Sequence, residues 1–135
     1  MIEVVKEKSN IYAIIIRANY NNDGYNFFTE DSASMQIGSL IFKKGKIIEP
    51  HYHRKIDRIS KKCVETIFVK KGKLKVNFYD PKNFNFLEYK ILKPNDVMLI
   101  QDGAHGFEVI DDLEMIEVKL GPYHSDDLIR LKIIR

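Results

Sequence analysis

The clearest pattern in the chain is a period of two. Leu74, Val76 and Phe78 alternate with Lys75, Asn77 and Tyr79, as expected of a strand with one buried and one wet face. Ile11 to Ile16 is rich in β-branched residues and predicts another strand. Further strands are expected at Ile37 to Phe42, Glu65 to Lys70, Leu87 to Leu92, Val97 to Ile100, Phe107 to Ile110 and Leu113 to Leu120. Turn residues separate them: Asn21-Asn22-Asp23-Gly24, Lys43-Lys44-Gly45, Lys71-Gly72, Asp80-Pro81-Lys82-Asn83, Pro94-Asn95-Asp96, Asp102-Gly103 and Asp111-Asp112. Many short strands at intervals of about 8–12 residues predict an all-β sandwich or barrel. Near the end, Ile129, Leu131 and Ile133 alternate with Arg130 and Lys132 and predict a terminal strand. Only Phe28 to Ser34, opened by Thr29-Glu30-Asp31, has the start signal of a helical turn.

No linker, repeat or low-complexity tract divides the 135 residues, so a single domain over 1–135 is expected. With 44% hydrophobic and 30% charged residues, the chain has the balance of a globular protein able to bury a core. The formal net charge of +3 is spread along the chain, which argues against a nucleic-acid partner. The most basic stretch, Arg54 to Lys62, holds no aromatic ring to stack on bases and reads as a solvated loop. The single cysteine, Cys63, cannot form an intramolecular disulfide and reads as a packing residue. The first residues, Met1 to Lys8, carry charges where a signal peptide would be apolar, and the run Tyr12 to Ile16 is too short to cross a bilayer. The expected location is the cytoplasm, with no membrane partner.

Four residues suggest chemistry. On a strand, His51 and His53 would point to one face and could grip one metal ion, although a His-x-His pair alone is more often surface decoration. Glu65 opens a strand whose same-face neighbours are Ile67 and Val69. A carboxylate on an aliphatic face needs compensation, which a metal ion would provide. His105 opens another strand and shares a face with Phe107 and Val109, so it also looks inward.

Gly45, His51, His53, Glu65 and Gly72, with the turns at Pro94-Asn95-Asp96 and Gln101-Asp102-Gly103 leading to His105, resemble the two motifs of the cupin superfamily. The motifs cover Gly45 to about Asp111. Two departures stand out: the long gap from Arg54 to Val64 between His53 and Glu65, and a shortened turn with Gln101 in place of the usual proline. Phe27-Phe28-Thr29-Glu30-Asp31, His105-Gly106-Phe107-Glu108 and the stretch Met115 to Tyr123 are similar to small stand-alone cupins found among bacterial polysaccharide and nucleotide-sugar biosynthesis proteins.

The resemblance implies a double-stranded β-helix, or jelly-roll barrel. It implies one divalent transition metal (Fe, Mn, Zn or Ni) on His51, His53, Glu65 and His105, with two positions open for water and substrate. It also implies a small-molecule ligand, such as a sugar or nucleotide-sugar derivative, and isomerase-, epimerase- or dioxygenase-type chemistry. Non-catalytic sugar sensing and a closed structural metal module are the alternatives. Tyr79, Glu117 and Lys119 are candidates to orient substrate or move a proton. Glu117 and Lys119 share a face with Leu113 and Met115, so they either pair at the solvent-facing surface or enter the cavity. Gln36, Arg58 and Tyr123 are weaker pocket candidates, and His124 reads as a surface residue. Small cupins usually pair. A homodimer is expected through the apolar segments Ile11 to Ile16 and Ile129 to Ile134, if these form sheet edges.

Overall fold

The computed structural model describes residues 1–131. They contain eight strands and no helix: β1 (Ile2–Glu7), β2 (Asn10–Ile16), β3 (Gly24–Phe27), β4 (Gly38–Ile41), β5 (Glu65–Tyr79), β6 (Phe86–Leu92), β7 (Val97–Ile100) and β8 (Ala104–Lys119). Six form one antiparallel sheet in the order β1-β2-β7-β5-β6, with β8 also on β5; β3 and β4 form a separate hairpin. The sheet curls into a half-barrel, so the all-β, barrel-like class expected from the alternation is correct.

The curl depends on β5 and β8. Lys71-Gly72 and Asp111-Asp112 carry turn chemistry, yet the strands run straight through both. The two signals face each other, with Lys71 opposite Glu114 and Lys73 opposite Asp111, and the ladder shifts register there three times. Gly72 takes φ +87°, and a Cβ on it would stand 2.0 Å from the Asp112 carbonyl oxygen. Residues that would end a strand therefore bend a paired ribbon instead. The bulge also changes phase: the inner face carries Glu65, Ile67 and Val69 before it and Leu74, Val76 and Phe78 after it.

All these inner aliphatics and Phe78 are fully buried, packed with Val5, Ala13, Ile15, Leu92 and Met98, and lined by Phe107, Leu113 and Met115 of β8. The other face buries Ile14, Val64 and Leu99 under Phe28, Met35 and Ile37, from the segment joining the β3–β4 hairpin. The expected helical turn in that segment is a single hydrogen-bonded turn, Ala33 N–H to Glu30 O at 3.0 Å. Gln36 clamps it, donating from Nε2 to the carbonyls of Glu30 (2.9 Å) and Ala33 (3.1 Å), so Gln36 is a loop brace and not a pocket group.

A polar staple holds the opposite end. Asp96 is 3% exposed and accepts from Ala18 N–H (2.8 Å), Lys93 N–H (2.8 Å) and Arg17 Nη1 (2.9 Å). Arg17 also donates to the Ile91 carbonyl at 2.6 Å and pairs with Glu3 of β1.

Three expectations need correction. Ile11 to Ile16 is not an edge: β2 lies between β1 and β7, and its residues 12–15 are buried, so it offers no dimer surface. Residues 129–131 form no strand, and Ile133 and Ile134 lie outside the described residues. Strands β1 and β3 were not among those expected. Among the described residues, no helix is long and apolar enough to cross a membrane.

Candidate functional site

Glu65 pairs across the ladder with Lys119, and Phe78, at the far end of β5, pairs with His105. Thirteen residues of straight strand would hold Glu65 and His105 about 43 Å apart. Instead, His105 Nε2 lies 2.5 Å from Glu65 Oε1. The curl brings the two ends of one ladder together, and the short β7–β8 turn completes the approach, because Glu65 also pairs with Ile100 of β7. That turn is packed against Tyr12. The N–H groups of Gln101 and Asp102 both donate to the Tyr12 carbonyl, and a Cβ on Gly103 (φ +75°) would lie 2.4 Å from the Tyr12 ring.

As the alternation predicts, Glu65 is buried (7% exposed) beside the fully buried Ile67 and Val69. Cross-strand partners share a face, so Glu117 (opposite Ile67) and Lys119 (opposite Glu65) also lie on the inner side, at its open end. Both side chains are exposed there, and neither lines a cavity among the described residues. Lys119 Nζ is 3.9 Å from Glu65 and 3.7 Å from Glu117.

Burial alone would raise the Glu65 pKa. The hydrogen bonds from His105 and Glu117, with the charges of His105 and Lys119, outweigh it and hold the carboxyl down at about 2. Glu117 moves the other way: its hydrogen bond to Glu65, its partial burial and the repulsion from Glu65 keep a proton on it above the usual carboxylate range. The charges of Glu117 and Glu65 raise Lys119. Cys63 is exposed and so is not the packing residue expected; partial desolvation, followed by the Glu65 charge, pushes its thiol up and away from reactivity. His105 Nε2 faces a carboxylate, while its Nδ1 is buried and has no partner among the described residues.

The structure separates the other candidates from this cluster. Tyr79 follows the inward Phe78, so it points to the opposite face, where its ring meets Phe86 edge-on at 5.8 Å. Val109 pairs with Leu74 on the face that carries His105 and Phe107, as expected, but is itself 61% exposed. His51 and His53 lie on an exposed segment without strand structure, with ring centroids 5.4 Å apart and His51 Nδ1 2.9 Å from the Glu49 carbonyl. The four proposed metal donors have suitable chemistry but stand as two pairs. No group of three or more His, Cys, Asp or Glu side chains able to hold one ion forms among the described residues.

A cavity of about 220 Å³ opens beside His105, lined by Lys62, Cys63, Ile100 and the β7–β8 turn. A larger one of about 430 Å³ adjoins it, and Lys62, Gln101 and Asp102 line both. Lys62 Nζ meets Asp102 Oδ2 at 2.7 Å. Neither residue stood out in the sequence: they are forty positions apart on two loops, and no periodicity links them. Compared with protein-family models, curated proteins and solved structures, the chain finds no match.

Proposed function

We propose that this chain is a small cupin-type barrel that binds a small polar metabolite, a sugar or nucleotide-sugar derivative, at the Glu65–His105 mouth. There it moves a proton on the ligand, as an isomerase or epimerase does. One observation carries the reading: Glu65 and Glu117 share one face with Lys119 Nζ 3.9 and 3.7 Å from them, and their surroundings drive the two proton affinities apart. Such a split separates a fixed charge from a proton carrier. Glu65, held ionised by His105, supplies the charge. Glu117, which holds its proton more tightly than an ordinary carboxyl, has the character of a general acid and is exposed enough to reach a ligand. It would donate to a ligand carbonyl oxygen and recover the proton from the adjacent carbon or hydroxyl. Lys119 would orient the developing oxyanion. The resemblance to sugar-pathway cupins supports the substrate class.

The test is solvent-deuterium exchange into a panel of sugars and nucleotide sugars. Exchange by the wild type that falls about 100-fold or more in Glu117→Gln supports the reading. Ligands that bind without exchange would leave a non-catalytic sugar-binding module.

A second reading, metal-dependent cupin chemistry, is favoured by the unpartnered Nδ1 of His105 and the donor chemistry of His51, His53, Glu65 and His105. Elemental analysis of the purified protein and of His53→Ala checks it. About one Fe, Mn, Zn or Ni per chain, lost in the variant, is the expected result, and a metal-free wild type that resists reconstitution would reject it.

A further inference from the structure

The larger cavity has a different character from the mouth. Lys61 and Lys62 stand side by side on its wall, with the hydroxyls of Ser32, Ser34 and Ser60 around them. Lys61 makes no ion pair among the described residues. Lys62 is committed only to Asp102, and its side chain is 61% exposed. An ion pair so open to water is weakly held and exchanges readily for a competing anion. Asp102 would not be stranded by the exchange: it also accepts the Gly103 N–H at 2.8 Å and keeps 23% side-chain exposure. Lys62 and Asp102, bonded to each other, line both cavities, as does Gln101.

We propose that the larger cavity is an anion-recognising subsite continuous with the His105 mouth, holding a phosphate on Lys61 and Lys62 while the hydroxyl-bearing part of the same ligand reaches Glu117. The inference rests on the mouth being the reacting end, and it narrows the ligand to a phosphorylated polyhydroxy compound. The phosphate takes over from Asp102 as the partner of Lys62. Serine hydroxyls complete the phosphate's hydrogen bonding. Glu30 also lines this cavity and disfavours a second negative group there.

The test is titration of the full-length protein, followed through backbone amide shifts, with glucose 1-phosphate, glucose, glucuronate and inorganic phosphate. The expected result is that glucose 1-phosphate shifts the amides of residues 29–34 and 60–62, and that its Kd rises at least about tenfold in Lys62→Met but not in Lys82→Met, a charge control on the β5–β6 turn. Glucuronate matching glucose 1-phosphate at the same amides would keep the anion subsite and name carboxylate as its ligand chemistry. Equal affinity for glucose and glucose 1-phosphate, no effect of Lys62→Met, or no shift at 29–34 and 60–62 overturns the proposal. Anion-dependent shifts confined to the larger cavity, with Glu65, His105 and Glu117 undisturbed, would retain the anion-binding site and reject the proton-transfer reading of the mouth.

Discussion

Asp96 and Glu65 are carboxylates of nearly equal burial, 3% and 7% exposed, at two ends of one sheet. Asp96 is saturated: two backbone N–H groups and a guanidinium occupy its oxygens. Glu65 has an imidazole on one oxygen, a distant ammonium near the other and a second carboxyl beside it. The sheet therefore holds one buried charge that is fully satisfied and one left in tension with its neighbours. Structural carboxylates tend to the first arrangement, and carboxylates that do chemistry to the second.

The largest expected effect is at the satisfied end. Asp96→Ala strands two buried backbone donors and takes one of the two carboxylates from Arg17, and should cost about 3–5 kcal/mol in urea unfolding. A loss below about 1 kcal/mol would show that water replaces the carboxylate there. Gly72→Ala comes next. The left-handed φ and the 2.0 Å approach to Asp112 should cost about 2–3 kcal/mol. This substitution should also weaken ligand binding at the mouth, because the curl brings Glu65 to His105. Unchanged binding would mean that the bulge is incidental to the site.

Glu65→Gln should cost less, about 1–2 kcal/mol at neutral pH, and its cost should depend on pH. The folded-state pKa of Glu65 lies near 2, below the ordinary 4.5. Its contribution is therefore complete above about pH 5 and disappears as the pH falls toward 2. Wild-type and Glu65→Gln unfolding curves should converge over that window. Glu117 is raised, so the sign reverses: it favours folding below its ordinary pKa, and this is lost as the pH rises through its folded value. Glu117→Gln, which mimics the protonated acid, should thus be neutral or stabilising by up to about 0.5 kcal/mol at pH 7, with no gain near pH 4. Chemical unfolding at the two pH values checks it. A variant destabilised at pH 7 would remove the case for a strained pair.

The inward setting of Glu65 was legible because a period of two assigns it to the face of Ile67 and Val69. The same rule grouped Glu117 and Lys119 with Leu113 and Met115, but parity cannot say which face is inside; only the pairing with β5 decides that. Gly72 and Asp111-Asp112 were read as turns because turns and bulges use the same residues. What distinguishes them is a partner strand that lies far off in sequence. His51 and His53 were given strand geometry from their spacing alone, without apolar alternation around them to anchor a strand. β1 was hidden by its charges, which lie beside Ile2, Val4 and Val5; of these Glu3 serves the Arg17 network and Glu7 accepts from the Tyr12 hydroxyl. The jelly-roll assignment and the metal both remain proposals, since a half-barrel and two donor pairs are the coarser facts.

The register of β5 on β8 also has a kinetic consequence. Glu65 and His105 sit at opposite ends of that ladder, so every rung can form without bringing them together. Strands that are far apart in sequence pair slowly, and a contact that needs the finished curve comes last. The bond between these two side chains should therefore be absent from the folding transition state. Removing it should leave the refolding rate unchanged and appear almost entirely as faster unfolding. It acts as a clasp on a bracelet already strung.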